Sequence, residues 1–289
     1  MRKKKKRMKQ YDPDSTLYGL NTDKRDIEII VSFTTYTARL MSAAYVADVM
    51  LRQTLKPDRI ILVLSDDEFE SKDVLPKEYQ NLEKRGLSIV FTENLKPHKK
   101  YRYAMQNHPD SLIVTVDDDI LYKEDLIETL YTSYKKYPNA VSAIRMHRMK
   151  FSNNKLQPYN NWDFEALTGE PVFNFIATNG AGSIFPPRCF EKKRDLLFNS
   201  SIIKKTCLEA DDIWLKIIEL LCDIPVVSAT QNTENLVLIP RSQRTSLHSS
   251  NVERNLNDKV LHSIMNHLGI SEEKLYQMTQ GVEATKNGY

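Results

Sequence analysis

Short, continuous runs of apolar residues, separated by segments with helical spacing, constrain the fold of this chain more than any other feature. The runs lie at 27–33, 59–64, 87–91 and 112–116, and helical spacing is found at 38–52 and 99–107. A strand that is apolar at every position is typical of burial on both faces. Alternation of such strands with helices predicts a mostly parallel sheet with helices packed on each side. We therefore expect an α/β fold.

The second half of the chain is less regular but continues the same alternation. The pattern predicts helices at 123–136 and 211–221, strands at 140–144 and 183–185, and two weaker helices after 231. No internal repeat or low-complexity linker divides the chain. These features indicate a single domain.

Composition and charge narrow the class of protein. The 289 residues are 41% hydrophobic and 27% charged, which is ordinary globular usage and argues against extended disorder. The net charge of +3 includes seven basic residues at 2–9, and the remaining 34 basic against 38 acidic residues leave a mildly acidic body. Because a nucleic-acid surface requires a basic face, we expect no nucleic-acid partner.

The location of the protein is predicted from three further features. No apolar stretch reaches the roughly 20 residues that cross a bilayer, and the N-terminus has no apolar signal core. Cys189, Cys207 and Cys222 are odd in number and lack CxxC spacing, so a reducing cytosol fits best. The basic run at 2–9 is either a solvated tail or a peripheral contact with anionic lipid on the inner face of the membrane.

Three adjacent carboxylates, Asp117, Asp118 and Asp119, follow the fourth apolar run directly. Carboxyl ends of parallel strands meet at the edge where open α/β sheets bind ligands. Such acids repel one another unless a cation neutralises them, and a hard divalent ion held with diphosphate oxygens would do so. A solvated acidic turn that caps the next helix is the alternative. The position at the sheet edge favours metal and diphosphate binding.

A second acidic group, Asp211 and Asp212 with Glu209 beside it, opens an apolar helix. Asp212 is a candidate general base because the packed helix would hold it rigidly. Capping of the helix N-terminus is an equally good explanation of these acids on the sequence alone.

Weaker signals lie elsewhere along the chain. Thr34, Thr35 and Arg39 follow the first strand and could contact a nucleotide, or could merely begin a helix. The segment 98–102 is basic and aromatic, which suits a uracil ring or a phosphate as well as an ordinary surface. His248 is a candidate metal ligand, although a lone histidine usually has no such role.

The order of five segments resembles that of GT-A type glycosyltransferases, and of bacterial capsule and surface polysaccharide enzymes within them. The segments are TTYTARL, RIILVLSDDEF, LKPHKKYRYAM, IVTVDDDI and ADDIWL. The resemblance covers about residues 27–255 and implies a Rossmann-like sheet. Within that range we expect a nucleotide-sugar half at 27–122 and an acceptor half at 123–255. A basic tail at 1–26 lies outside the resemblance, and we expect a C-terminal helical segment at 256–289.

The resemblance implies a reaction in which a sugar passes from a nucleotide-sugar donor, expected to be a UDP-sugar, to a hydroxyl of a glycan or lipid-linked oligosaccharide, with inversion. A DxD-type motif would hold Mn²⁺ or Mg²⁺ against the diphosphate. The implied roles are metal binding by Asp119 and Asp117; donor binding by Thr34, Thr35, Tyr36, Arg39, Asp66, Lys99, Asp117 and Asp118; catalysis by Asp212 with Asp211; and acceptor contact by Gly180, Gly182 and Trp214. Asp211 stands where the family usually has glutamate.

Other readings compete with the transferase. A nucleotidyltransferase would carry a Gly-rich loop after the first strand, where TTYTARL is found instead. A phosphatase with an aspartate nucleophile would carry that residue at the end of the first strand. A non-enzymatic protein that binds polyanions or membranes through residues 2–9 is the third alternative.

Overall fold

The computed structural model describes residue 12 and residues 15–232, 236–239 and 256–281. The basic run at 2–9 and His248 lie outside these described residues. The strands are β1 (Ile29–Thr34), β2 (Arg59–Ser65), β3 (Leu87–Thr92), β4 (Leu112–Thr115), β5 (Val141–Ala143), β6 (Met146–Arg148), β7 (Phe151–Ser152), β8 (Lys155–Leu156), β9 (Phe175–Ala177), β10 (Ser183–Phe185) and β11 (Val226–Ser228). The α-helices are α1 (Leu40–Met50), α2 (Glu78–Lys84), α3 (Lys99–Asn107), α4 (Leu126–Lys136), α5 (Arg194–Leu197), α6 (Ser200–Thr206), α7 (Asp211–Leu221), α8 (Leu256–Leu268) and α9 (Glu272–Thr279).

Seven strands form one central sheet in the order β11-β5-β10-β4-β1-β2-β3. β1 lies between β2 and β4 and is parallel to both, with Val31 opposite Ile60 on one side and Val114 on the other. β10 is antiparallel to β4 and to β5. The expected α/β fold with a mostly parallel sheet is confirmed.

Two apolar layers cover the sheet, and alternate residues of each strand contribute to them. Ile30 belongs to the layer that contains α3 and α7, whereas Ile29 and Val31 belong to the layer that contains α1 and α4. Because side chains of a strand point alternately to opposite faces, both faces of β1 must be apolar. This burial accounts for the continuous apolar runs of the sequence.

The structure departs from the sequence expectation mainly between β6 and β9. Two small two-stranded sheets, β6 with β9 and β7 with β8, occupy a stretch that the sequence indicated only as polar. Strands of two or three residues are too short to show a periodic pattern. The short helices α2, α5 and α6 escaped prediction for the same reason. None of the helices among the described residues is long and apolar enough to cross a membrane.

A buried ion pair joins two helices on the α1 face of the sheet. Arg85, which follows α2, directs Nη1 to Asp48 Oδ1 of α1 at 2.7 Å, and the exposed fractions of the two side chains are only 2% and 0%. Arg52 Nη2 lies 2.8 Å from the second oxygen of the same carboxylate. The Arg85 side chain also donates from Nε to the carbonyl of Leu17. This pair therefore fixes the segment before β1 against the helical layer.

Asp48→Ala should lower the free energy of unfolding by about 3–5 kcal/mol, because Arg85 would remain buried without its carboxylate. Urea denaturation followed by circular dichroism measures the change. Lys72→Ala is the control, since it breaks an exposed pair with Glu83 and should cost no more than about 1 kcal/mol. Equal losses for the two variants would contradict the structural role of the buried pair.

Candidate active site

The polar residues that follow β1 meet the carboxylates that follow β4, because these two strands are neighbours in the sheet. Thr35, just beyond β1, donates from Oγ1 to Asp118 Oδ2 at 2.6 Å. Arg39, in the short 3-10 turn before α1, places Nη1 2.8 Å from Asp118 Oδ1 and 3.0 Å from Asp119 Oδ2. The Arg39 guanidinium lies 5.5 Å from the ring centre of Tyr36. One arginine thus holds two of the three adjacent carboxylates.

Burial and charge act in opposite directions on this group. Burial raises the pKa of the Asp118 carboxyl, while Arg39 and the hydroxyl of Thr35 oppose that rise. Burial lowers the pKa of Arg39, but the carboxylates of Asp118 and Asp119 outweigh it, and the net shift is upward. The arginine therefore keeps its charge beside the two acids.

Lys100 of α3 connects the acidic triple to the second acidic group. Its Nζ lies 2.8 Å from Asp117 Oδ1 and 3.0 Å from Asp211 Oδ2, and only 5% of its side chain is exposed. Burial lowers the pKa of the ammonium, but Asp117, Asp211 and Asp212 together raise it well above its ordinary value. The two carboxylate groups that lie far apart in sequence therefore share one buried cation.

Asp212 is fixed by the segment that follows β9. Its Oδ1 accepts hydrogen bonds from the backbone N–H of Asn179 at 2.9 Å and from Asn179 Nδ2 at 3.0 Å. Burial, followed by the charge of Asp211, raises the pKa of Asp212 to about 7, against the opposing effect of Lys100. Asp212 is half-buried. It therefore combines a fixed position with a proton affinity suited to acid–base chemistry near neutral pH.

Gly180 lies directly against the Asp117 carboxylate. A Cβ placed on Gly180 would fall 1.7 Å from Asp117 Oδ2, so any side chain there would displace the acid. The Asp117 backbone N–H donates to the hydroxyl of Tyr122 at 2.6 Å and to the carbonyl of Gly180 at 3.1 Å. The Tyr122 hydroxyl donates in turn to the Gly180 carbonyl. The absence of a side chain at 180 is thus a packing requirement of the site.

Three residues implied by the resemblance make contacts other than with these carboxylates. Thr34 donates from Oγ1 to the carbonyl of Val63 at 2.6 Å, and Asp66 is exposed just after β2. Lys99 Nζ lies 3.3 Å from Asn94 Oδ1. Burial lowers the pKa of Lys99, and the acidic charges of Glu68, Asp67 and Asp66 oppose that shift.

The last two residues of the expected acceptor set face the protein interior. Trp214 is fully buried, and its Nε1 donates to the carbonyl of Leu197. Gly182 has φ +113°, and a Cβ there would meet the side chain of Leu126. The expectation that the Trp214 side chain borders the acceptor cleft is therefore corrected, because its position on α7 turns the ring into the core.

Three residues of the site were missed by the sequence analysis. Lys100 lay in the basic segment 98–102, but the apolar pattern of α3 did not indicate which lysine faces the carboxylates. Asn179 and Tyr122 gave no separate signal, since single polar or aromatic residues occur in many loops. The carboxylate-rich edge itself was visible from the strand pattern.

The donor set fits a metal ion only in part. Among the described residues, no group of three His, Cys, Asp or Glu side chains is placed to hold a metal. Asp117 keeps 41% of its side chain exposed, and carboxylate oxygens suit Mg²⁺ or Mn²⁺. Ions of this kind are commonly held by one or two carboxylates and completed by substrate phosphates. The acids at 117–119 therefore fit an ion that arrives with a diphosphate.

The Rossmann-like sheet with carboxylates gathered beyond β4 is that of a glycosyltransferase of the GT-A type. The model of the family described as "Glycosyl transferase family 2" matches residues 43–193, which is more than half of the chain. The chain therefore belongs to glycosyl transferase family 2. The matched part includes Lys100, the acids at 117–119 and Gly180, whereas Asp211 and Asp212 lie beyond it.

Solved structures of similar fold include two enzymes. Mannosyltransferase PcManGT from Pyrobaculum calidifontis, in complex with GDP-Man and Mn²⁺, aligns over 99% of this chain and 82% of its own, with 15% identity and a TM-score of 0.49. A CMP:2-keto-3-deoxy-manno-octonic acid synthetase complexed with CTP aligns over 80% of this chain and 100% of its own, with 11% identity and a TM-score of 0.44. No curated protein matches the chain.

Gly180→Ala should lower the free energy of unfolding by about 1–3 kcal/mol, because the new methyl group would displace the Asp117 carboxylate from its ion pair with the buried Lys100. Gly169→Ala is a matched control, since nothing lies within 4 Å of a Cβ at that position, and it should change stability by less than about 0.5 kcal/mol. Urea denaturation of both variants tests the close approach. A Gly180→Ala protein as stable as the control would contradict it.

Proposed function

We propose that this chain is a metal-dependent glycosyltransferase that moves a sugar from a UDP-sugar to a hydroxyl of a glycan or lipid-linked oligosaccharide, with inversion at the anomeric carbon. The observation that carries the proposal is the Lys100 ammonium, which contacts Asp117 and Asp211 at once. A donor held at 117–119 and an acceptor held beside Asp212 would therefore meet across one site.

The donor side consists of the residues beyond β1 and β4. Asp119 and Asp117 would hold Mn²⁺ or Mg²⁺, and the metal when bound stabilises the negative charge of the nucleoside diphosphate leaving group. Arg39, already charged and buried beside Asp118 and Asp119, offers a second positive group near the phosphates. We assign the nucleoside to the surface formed by Thr34, Thr35, Tyr36, Asp66 and Lys99.

The acceptor side depends on Asp212. Two hydrogen bonds from Asn179 hold Oδ1, which leaves Oδ2 to accept the proton of the attacking hydroxyl. Asp211 Oδ2 lies 3.0 Å from Lys100 Nζ and helps to hold that cation in place. Removal of the proton makes the acceptor oxygen a better nucleophile for displacement of the diphosphate at the anomeric carbon. A direct displacement of this kind inverts the anomeric configuration.

The sequence resemblance supports a role in capsule or cell-surface polysaccharide synthesis. A lipid-linked acceptor would place the reaction beside the inner face of the cell membrane, and the basic run at 2–9 could attract anionic headgroups at about 1 kcal/mol per residue. This run lies outside the described residues. On the basis of the sequence alone, we therefore extend the proposal to a cytoplasmic enzyme that contacts the membrane peripherally.

Asp119→Ala should abolish Mn²⁺-dependent binding of UDP, because the carboxylate that would hold the ion is lost. Isothermal titration calorimetry with UDP, in Mn²⁺ and in EDTA, measures the effect. Asp125→Ala, which removes an exposed acid after the site, is the control and should bind as the unchanged protein does. Equal UDP affinity for Asp119→Ala and the control would contradict the metal assignment. Release of pyrophosphate instead of UDP on turnover would indicate a nucleotidyltransferase.

Asp212→Asn should leave UDP binding intact and lower transfer by about 10²–10⁴-fold, the usual contribution of an acid–base group. Since the pKa of Asp212 is raised to about 7, kcat/KM should increase as the pH rises through about 7 and the base loses its proton. The same shift affects stability. The folded protein holds this proton up to about pH 7, whereas the unfolded chain releases it at the lower, ordinary pKa of an aspartate. The contribution of Asp212 to the free energy of unfolding therefore falls as the pH rises towards 7.

The pH profile of UDP release, with each of several nucleotide sugars and a glycan acceptor, measures this dependence. The residual activity of Asp212→Asn should not show the increase in kcat/KM near pH 7. Near-normal turnover by that variant, or a rate that is flat from about pH 5 to 8, would remove Asp212 from the role of base.

A further inference from the structure

A cluster of aromatic rings lies on the segment that follows β8 and on β6. His147 is 4.7 Å from Phe164 and 6.2 Å from Tyr159, measured between ring centres, and both contacts are edge-to-face. Tyr159 and Phe164 are 5.5 Å apart, and Trp162 packs against Tyr159 at 4.8 Å. We call His147, Tyr159 and Phe164 the aromatic platform. Phe164 keeps 45% of its surface exposed.

Hydrogen bonds from several elements hold the aromatic platform in place. The backbone N–H of Tyr159 donates to Asp258 Oδ1 of α8 at 2.8 Å, and that of Glu165 donates to His147 Nδ1 at 3.0 Å. Trp162 Nε1 donates to the carbonyl of Gln157 at 2.8 Å. A surface that is fixed before a ligand arrives loses little conformational entropy on binding.

The aromatic platform is connected to Asp212 through the β6–β9 pair. Asn179, which holds Asp212, follows Thr178, and Thr178 Oγ1 accepts a hydrogen bond from Arg145 Nε at 2.7 Å. Arg145 lies in the bend just before β6, two residues ahead of His147. Arg145 and the half-buried Asp212 both act electrostatically on Tyr159 of the platform.

The electrostatics of Tyr159 agree with this placement. Burial raises the pKa of the Tyr159 phenol, and the charge of Asp212 adds to the rise, whereas Arg145 opposes it. The phenol is thus within the field of the carboxylate that we assign as base. It stays protonated and keeps a hydroxyl group to donate near that carboxylate.

We propose that the aromatic platform is an acceptor subsite that binds one face of a pyranose ring and presents a hydroxyl of that ring to Asp212. This inference rests on the proposed function, because it gives the acceptor of the same reaction a chemical class and a place. The negative face of an aromatic ring attracts partial positive charge, and the C–H groups of a pyranose face carry such charge. The sugar hydroxyls lie at the edge of the ring and remain free to reach polar groups.

The alternative role of these rings is to close the apolar core. His147, Trp162 and Tyr159 do bury most of their surface. Phe164 does not, and its exposed face adds nothing to the core. An exposed ring that packs against Tyr159, whose phenol is influenced by the charge of Asp212, is better explained by contact with a partly apolar ligand.

Saturation-transfer difference NMR with a panel of methyl hexopyranosides, in the presence of UDP and Mn²⁺, tests the subsite. At least one glycoside should receive saturation on the protons of a single ring face. Phe164→Ala should weaken the binding of that glycoside by about tenfold, as loss of an aromatic contact implies. Tyr18→Ala is the matched control, since Tyr18 is 48% exposed and far along the chain from the site.

The failure of this inference differs from the failure of the proposed function. If UDP binds with Mn²⁺ but no glycoside of the panel is saturated, or if Phe164→Ala binds as well as Tyr18→Ala, the aromatic platform is not the acceptor subsite and the donor assignment stands. Loss of UDP binding in the unchanged protein would instead overturn the proposed function. Circular dichroism of both variants should match that of the unchanged protein, because both rings are exposed.

Discussion

The contact of one buried ammonium group with two carboxylates is the interaction on which the site depends. Lys100 reaches Asp117, beyond β4, and Asp211, at the start of α7, from a third element, α3. Charges removed from water are costly unless they are closely paired. The cost is reduced only when the strand end and both helices are in their native positions, so folding of the sheet and assembly of the carboxylates occur together. In the proposed function, this pairing joins the donor side to the acceptor side.

The positive groups of the site change the interpretation of the three adjacent acids, Asp117, Asp118 and Asp119. Adjacent carboxylates suggested that an external cation must neutralise them, but Arg39 and Lys100 already face all three acids. In the proposed function, these fixed cations would also lie close to the phosphate oxygens of the donor. A metal ion that enters with the diphosphate would add to a charge arrangement that is already in place.

Much of the fold could be predicted because its strands are buried on both faces. The pattern around Ile29 and Val31 requires apolar layers on each side, and the predicted range of α3 and of α7 agrees with the structure. The antiparallel direction of β10 could not be predicted, since a strand of three residues carries no directional signal. Position within a helix also escaped the sequence. The basic segment 98–102 did not show that Lys100 faces the carboxylates, and Trp214 was expected to contact the acceptor although its side chain lies in the core. A rotation of one residue about a helix axis decides which side chain faces the carboxylates.

A crystal structure of the protein with Mn²⁺ and an unreactive UDP-sugar tests the central claim most directly. With reacting atoms at about 3–3.5 Å and a similar distance from the hydroxyl to its base, roughly 6 Å should separate the anomeric carbon from the nearest oxygen of Asp212. That gap would hold a single acceptor hydroxyl, with the diphosphate at Asp117 to Asp119. A sugar bound on the opposite side of Lys100, with protein atoms between its anomeric carbon and Asp212, would contradict the shared site.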